Sequence, residues 1–198
     1  MWAEIMELPF IRGLREGTLS EEAFSFYLEQ DAFYLNHYSR AQAQLATMAP
    51  EPVAQLDWAA GAVDCVAAEA ELHRTWLAGR DLGATAPSPV TMAYTDFLVA
   101  TVHSHDYVVG AAAVLPCAWL YAEIGLVLAE ADHPDHPFHA WLGMYRSEEF
   151  LAGARTAIAH VERALAQAGP AHRVLAGRAY LSAAVYEREF FDQAARLG

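Results

Sequence analysis

The residue of this 198-residue chain best suited to chemistry is a cysteine inside an apolar helical run. Cys117 lies in the segment 115–121, directly after Pro116 and four residues before Tyr121. Residues four apart share one face of a helix, so the spacing predicts the Tyr121 hydroxyl beside the sulfur. Pro116 removes a backbone donor and favours a kink there. Burial alone leaves a thiol inert, so a nucleophile needs nearby hydrogen bonds, and the alternative is an ordinary core cysteine.

Two carboxylates are candidates to work with this thiol. Asp31 lies in the middle of a long helical stretch and shares a face with Tyr27 and Tyr34, which predicts an inward side chain that requires partners. The alternative for Asp31 is a solvated or capping acid. Glu187 belongs to the charged triplet 187–189, which is typical of a solvent-exposed helix face.

The elements that must position these residues are helices. No segment shows the alternation of a β-strand, and alanine and leucine dominate the sequence, which predicts an all-α fold and one domain over residues 1–198. Capping residues, prolines and glycines predict about seven helices. Their expected ranges are 21–48, 53–78, 90–102, 107–129, 138–145, 147–167 and 171–197.

The charge balance narrows the range of partners. The formal net charge is -13, from 25 acidic and 12 basic residues, and all the basic residues are arginine. Such an acidic surface repels phosphate backbones, so nucleic acid and anionic lipid are disfavoured as partners. The absence of lysine excludes a Schiff-base, pyridoxal-phosphate or P-loop lysine in this chain.

The cysteine count and the N-terminus predict a reducing, cytoplasmic setting. Cys65 and Cys117 form no disulfide framework, and residues 1–4 do not resemble a signal peptide. The range 107–129 is long enough to span a bilayer and carries one charge, Glu123. Its proline and acidic flanks predict instead the buried central helix of a bundle, without a membrane.

The order of these residues resembles the TenA, or thiaminase II, family of the haem-oxygenase-like fold, in its cysteine-containing branch. The resemblance covers nearly the whole chain, and its most specific elements are the Gln-Asp-x-x-Tyr and Cys-x-x-x-Tyr patterns. The matching residues are Leu8–Ile11, Gly17–Leu19, Tyr27, Leu28, Gln30, Asp31, Tyr34, Ala93–Leu98, Leu115–Cys117, Tyr121, Trp141, Tyr145, Phe150, Glu187, Phe190–Asp192 and Ala194. Two positions depart from the family pattern: Leu8 replaces a histidine, and Phe191 replaces a tryptophan.

The resemblance implies a role for each matching site residue. Cys117 would be the nucleophile that adds to a pyrimidine ring. Asp31 would hold the amino group and a ring nitrogen of an aminopyrimidine, and Glu187 would exchange a proton with a ring nitrogen and assist the leaving group. The hydroxyls of Tyr34 and Tyr121 would orient the thiol, whereas Tyr94 and Tyr145 would wall or contact the ring.

The implied reaction is metal-free hydrolysis of a small molecule. The family hydrolyses an aminomethylpyrimidine derived from thiamine, or thiamine itself, to hydroxymethylpyrimidine, in thiamine salvage. It requires no metal or organic cofactor and commonly assembles as a homotetramer. The fold it implies is a helical bundle around a central pocket.

Two other functions stay open. The same fold hosts metal oxidases, and Glu69, Glu71 and His73 could offer ligands from one helix, although the range 180–197 lacks the further histidine such a site needs. A non-catalytic pyrimidine-binding protein would keep the same pocket. The histidines of the segment 133–139 could also collect a metal, but a proline-shaped loop is the better interpretation of this segment.

Overall fold

The computed structural model describes the backbone of residues 1–75 and 86–196, and the side chains of residues 1–68 and 86–196. Within these ranges every regular element is helical, as predicted. The described residues form nine α-helices, two more than expected. They are α1 (Trp2–Met6), α2 (Pro9–Glu16), α3 (Glu21–Met48), α4 (Pro52–Thr75), α5 (Pro89–Ser104), α6 (Tyr107–Leu128), α7 (His139–Tyr145), α8 (Glu148–Gln167) and α9 (Pro170–Ala195).

The two helices absent from the prediction are the N-terminal ones, α1 and α2. Helix α2 begins with Pro9 at its first turn and ends at Gly17, whose φ of 68° is the left-handed conformation that glycine adopts without strain. Both are ordinary helix boundary signals, but they enclose only eight residues. The predicted end of α4 at residue 78 lies outside the described residues.

Side-chain caps fix where the long helices begin. The hydroxyl of Ser20 accepts a hydrogen bond from the Ala23 amide, and Glu21 and Glu22 occupy the positive end of α3. Ser88 caps α5 in the same way, which starts that helix at Pro89. These caps set the register of the two helices that carry Asp31 and Tyr94.

Helices α3 and α6 organise the bundle. Helix α3 packs against α4, α5, α6 and α9, and α6 packs against α5, α7, α8 and α9. Helix α6 runs through Pro116 as one continuous helix. The stretch Tyr107–Ala131 is long and apolar enough to cross a membrane, but 67% of its most apolar window is buried inside the bundle. This agrees with the prediction of a central core helix.

A glycine brings α7 against α6. A Cβ atom on Gly125 would lie 2.6 Å from the carbonyl oxygen of Tyr145, closer than side-chain carbon atoms approach. The missing side chain therefore lets the end of α7 lie directly on α6. The contact places the Tyr145 ring next to Tyr121, 4.8 Å between ring centroids.

Candidate active site

A polar stripe on α3 forms the floor of the candidate site. Tyr27, Asp31, Tyr34 and Tyr38 follow one another at intervals of three or four residues, and all four are buried. This spacing keeps them on one face of the helix. The inward orientation predicted for Asp31 is therefore what the structure shows, with 3% of the residue exposed.

A chain of hydrogen bonds joins three helices across this floor. The Tyr34 hydroxyl on α3 donates to the Tyr94 hydroxyl on α5 over 3.3 Å. The Tyr94 hydroxyl in turn donates to Oε1 of Glu187 on α9 over 2.6 Å. A bond this short is typical of a donor paired with a carboxyl group. The residues Tyr34, Tyr94 and Glu187 are referred to below as the relay.

Glu187 is buried, contrary to the exposed face that its charged neighbours indicated, with 1% of the residue accessible. Burial raises the pKa of its carboxyl group to about 8, the Tyr94 hydrogen bond opposes the rise, and the nearby Asp31 adds to it. Near neutral pH this side chain therefore holds a proton for most of the time. A carboxylic acid with that pKa can deliver a proton at physiological pH.

The Cys117 residue is partly buried, and its thiol lies on the buried side. Burial raises the pKa of this thiol well above its usual range, and the charge of Glu187 raises it further. The Tyr34 hydroxyl acts in the opposite direction, because it can turn its one proton from the Tyr94 oxygen to the sulfur and so stabilise the thiolate. Tyr34 thus lies beside both the thiol and the relay acid.

The Tyr121 hydroxyl has a different partner from the one its spacing indicated. It accepts a hydrogen bond of 3.0 Å from Tyr27, and the tyrosine hydroxyls beside the Cys117 sulfur are those of Tyr34 and Tyr38. Tyr121 forms an aromatic wall with Tyr145 and Phe191, with centroid distances of 4.8 and 5.0 Å. Phe191 occupies this wall where the family pattern has a tryptophan.

Two tyrosines outside the predicted site set, Tyr27 and Tyr38, also belong to the cluster. The Tyr38 hydroxyl donates to the Val114 carbonyl over 3.1 Å and lies against the Cys117 thiol. The periodicity of α3 could have identified both, since they share the face of Asp31. The structure thus brings all seven predicted residues to one buried cluster, in which their roles remain predictions. The seven are Asp31, Tyr34, Tyr94, Cys117, Tyr121, Tyr145 and Glu187.

The proposed metal ligands divide into two groups. The side chains of Glu69, Glu71 and His73 lie outside the described residues. In the loop 132–138, the ring of His136 accepts a hydrogen bond from the Phe138 amide. His139, on α7, lies 2.8 Å from the Asp132 carboxylate. Across the side chains that are described, no three metal-ligating groups come together.

A surface groove of about 510 Å³ opens at the end of the bundle, away from these residues. It lies between α2, the start of α3 and the end of α9, and Arg12, Glu16 and Glu22 line it. None of its lining residues belongs to the buried cluster. Its lining residues are therefore separate from those that hold the thiol and the relay.

Comparison with known proteins assigns the chain to a family. The model of the TENA/THI-4/PQQC family matches residues 1–197. The chain belongs to this family. Similar proteins include the thiamine biosynthesis multifunctional protein ThiED of Corynebacterium efficiens, which is 60% identical over 98% of this chain and 27% of that protein. The chain thus spans about a quarter of ThiED. They also include the aminopyrimidine aminohydrolase of Bacillus subtilis, 29% identical over 98% of this chain and 85% of that protein.

Solved structures of a TenA homologue and of a heme oxygenase-like domain share the arrangement of the helices. The TenA homologue of P. horikoshii superposes with a TM-score of 0.87 at 30% identity, covering 100% of this chain and 93% of that one. A domain from Shewanella denitrificans, described as having a heme oxygenase-like fold, reaches a TM-score of 0.68 at 14% identity, covering 99% of this chain and 88% of that one. The chain therefore has the haem-oxygenase-like fold that the sequence resemblance implied.

Proposed function

We propose that this protein is an aminopyrimidine aminohydrolase of the thiaminase II type. The observation that carries the proposal is the 2.6 Å hydrogen bond between Tyr94 and Glu187, which joins a proton-bearing acid to a tyrosine beside Tyr34 and the Cys117 thiol. Relatives named aminopyrimidine aminohydrolase, among them the protein from Bacillus subtilis, support the same reaction. The substrates we propose are 4-amino-5-aminomethyl-2-methylpyrimidine and, if the site accommodates a second ring, thiamine.

The chemistry of the cluster fits a planar ring with a donor edge. A buried carboxylate such as Asp31 can accept hydrogen bonds from an amino group and hold the ring in one orientation. Tyr121, Tyr145 and Phe191 offer aromatic surface on which such a ring can pack. The two features together select an aromatic amine over an aliphatic one.

In the proposed reaction Cys117 forms the covalent bond to the ring and Glu187 transfers the proton. The Cys117 sulfur bonds to a ring carbon while Glu187 gives its proton to a ring nitrogen, which makes the ring electron-rich. The ring expels the amine, which takes the thiol proton and leaves as ammonia. Water adds to the exocyclic carbon and gives one of its protons to the sulfur as the sulfur departs, which regenerates the Cys117 thiol. Departure of the sulfur restores the aromatic ring and returns the ring-nitrogen proton to Glu187. The net change is aminomethylpyrimidine and water to hydroxymethylpyrimidine and ammonia.

The relay allows Glu187 to be protonated and Cys117 to be ionised in the same buried site. A charged Glu187 raises the pKa of the Cys117 thiol, so a thiolate forms more readily while Glu187 keeps its proton. The Tyr34 hydroxyl can turn its proton to the sulfur, which favours the thiolate. The acid form of Glu187 and the nucleophilic form of Cys117 thus favour each other.

The first experiment is ammonia release from 4-amino-5-aminomethyl-2-methylpyrimidine by metal-stripped protein, wild type beside Cys117→Ser. We expect release by the wild type and loss of most turnover in the variant, because a neutral hydroxyl is a far weaker nucleophile. Binding of the pyrimidine should persist in Cys117→Ser, which calorimetry measures. Full activity of the variant would overturn the cysteine mechanism. An inactive wild type that binds pyrimidine would make the protein a binder.

We also propose a homotetramer that assembles through two apolar helix faces. On α4, Val53, Leu56 and Val63 are 59–71% exposed, and on α9, Leu181 is 60% exposed. Two separate self-complementary faces are what a tetramer with two kinds of twofold contact requires. Light scattering on Leu56→Glu and on Leu181→Glu tests this, with a dimer expected from each variant and a tetramer from the wild type. A monomeric wild type would refute the assembly.

The remaining expectations follow from the chemistry. We propose that residues 1–198 act as one domain, because helices α3, α5, α6, α7 and α9 contribute to one site. A cytoplasmic location suits a nucleophile that must remain reduced. No cofactor is part of the proposed reaction.

A further inference from the structure

A second polar cluster joins the same three helices one turn away from the relay. Oε1 of Gln30, on α3, accepts hydrogen bonds from the Ser88 amide over 2.8 Å and from the Thr91 hydroxyl over 2.7 Å. Nε2 of Gln30 donates to the Ala86 carbonyl over 3.4 Å. One glutamine therefore ties α3 to the segment that precedes α5 and to the first turn of α5.

The third helix enters this cluster through another glutamine. Oε1 of Gln193, on α9, accepts from the Ser88 hydroxyl over 2.5 Å, and its Nε2 donates to the Thr91 hydroxyl over 3.4 Å. Gln30, Thr91 and Gln193 are buried, with 1%, 0% and 7% of each residue exposed. Buried amides of this kind are expensive to leave without partners, so the cluster holds the three helices in a defined register. We name Gln30, Ser88, Thr91 and Gln193 the clamp.

The register of the helices connects the clamp to the relay. Thr91 precedes Tyr94 by three residues on α5, and Gln30 precedes Tyr34 by four on α3, so each pair shares a helix face. Glu187 lies on α9 six residues before Gln193. A shift of α5 relative to α3 or α9 would therefore change the distance from the Tyr94 hydroxyl to both of its partners.

From this geometry we infer that the clamp positions the Tyr94 hydroxyl between Tyr34 and Glu187, and that Thr91 is a positioning residue for the proposed hydrolysis. This inference rests on the proposed function for its catalytic consequence. It concerns four residues that contact neither the thiol nor the relay acid in the mechanism above. Their contribution is made through α5, which carries both Thr91 and Tyr94.

The chain offers a matched control for testing Thr91. Thr95 lies on the same helix and is also buried, but its hydroxyl donates to the Met92 carbonyl of its own helix over 3.1 Å. Thr91→Val and Thr95→Val each remove one buried hydroxyl of the same size from α5. Thr91→Ser keeps the hydroxyl and supplies a conservative rescue. Urea unfolding of the three variants measures how much stability each one loses.

For Thr91→Val we expect kcat to fall on the order of tenfold while KM changes less, because a displaced proton donor affects the reaction more than binding. The alkaline limb of the pH–rate profile should move upward, since a weakened Tyr94 hydrogen bond raises the pKa of Glu187. Thr91→Ser and Thr95→Val should keep the wild-type kcat and pH profile. Equal losses in Thr91→Val and Thr95→Val, or an unchanged Thr91→Val, would overturn the inference.

A titration that requires no catalytic activity can test this inference separately from the proposed function. The infrared band of the protonated Glu187 carboxyl, assigned by its absence in Glu187→Gln, titrates with pH whether or not the protein hydrolyses any pyrimidine. Its midpoint should move upward in Thr91→Val and stay in Thr95→Val, and an unmoved midpoint refutes the clamp even in an inactive protein. If Thr91→Val does not fold, Gln193→Met, which keeps length and removes both polar atoms, should give the same shift. An unmoved midpoint in Gln193→Met would also refute the clamp.

Discussion

Removal of the Tyr94 hydroxyl by the substitution Tyr94→Phe should change the pH at which the protein loses activity. This hydroxyl is the 2.6 Å donor to Glu187, and its hydrogen bond opposes the rise that burial causes in the pKa of that carboxyl. Without it the pKa of Glu187 rises above the value of about 8. In the proposed reaction Glu187 acts as an acid in its protonated form, so the alkaline limb of activity should follow that pKa upward.

The size of the shift follows from the strength of the lost bond. A hydrogen bond to a charged group contributes about 1.5–3 kcal/mol, and one pKa unit corresponds to about 1.4 kcal/mol, so the limb should move by about 1–2 pH units. Tyr34 lies close enough to lower the pKa of the Glu187 carboxyl, and in the variant its hydroxyl proton is no longer given to Tyr94, which favours the lower part of this range. The expected alkaline limb therefore lies at about pH 9–10.

The assay is kcat/KM for ammonia release between pH 6 and 10.5, because this ratio reports groups of the free enzyme. Tyr186→Phe is the matched control, since its ring stacks on Tyr94 at 5.3 Å while its hydroxyl lies outside the relay. Its alkaline limb should stay near that of the wild type. An alkaline limb that stays in place or moves downward in Tyr94→Phe would refute the assignment of Glu187 as the acid.

Three further substitutions test other parts of the site. Glu187→Gln should stabilise the fold by a few kcal/mol near pH 8 and by less near pH 5, because between pH of about 4.5 and 8 the carboxyl ionises in the unfolded chain but stays protonated in the native one, which costs the wild type stability as the pH rises; chemical unfolding at each pH measures this, and a constant difference would contradict it. Asp31→Asn should weaken pyrimidine binding, seen by calorimetry, as well as the rate, because a charged acceptor is lost, and unchanged affinity would count against its role. Gly125→Ala should lower the free energy of unfolding by about 1–3 kcal/mol, whereas Gly153→Ala, in open space on α8, should raise it slightly. Equal effects of the two glycine variants would disprove the close approach of α7.

The helical architecture could be read from the sequence because its signals are local. Ser20 with two following acids, and Ser147 before Glu148, mark helix starts that the structure reproduces within a residue or two. Helix α2 was missed although Pro9 and Gly17 bound it, because eight residues are too few for periodicity to establish a helix. Local signals thus located the long helices and failed at the short ones.

The partners within the site could not be read in the same way, because they are tertiary. Tyr94 and Glu187 are 93 residues apart, and no spacing rule links a tyrosine on α5 to an acid on α9. For Glu187 the charged neighbours indicated solvent, yet the pairing of α9 with α6 and α5 turns its side chain inward. For Tyr121, the four-residue spacing places its side chain on the same face of α6 as Cys117. Its hydroxyl, however, accepts a hydrogen bond from Tyr27 on α3, which the spacing could not indicate.

The position of Glu187 on α9 has a consequence for synthesis on the ribosome. Helix α6, the most apolar helix, emerges well before α9, which covers one of its sides in the finished bundle. The nascent chain therefore carries an uncovered apolar helix for the time needed to translate the residues between the two, an interval in which chaperones and aggregation compete for it. Since Glu187 enters the bundle only with α9, the appearance of the proposed activity during translation would mark the docking of that helix.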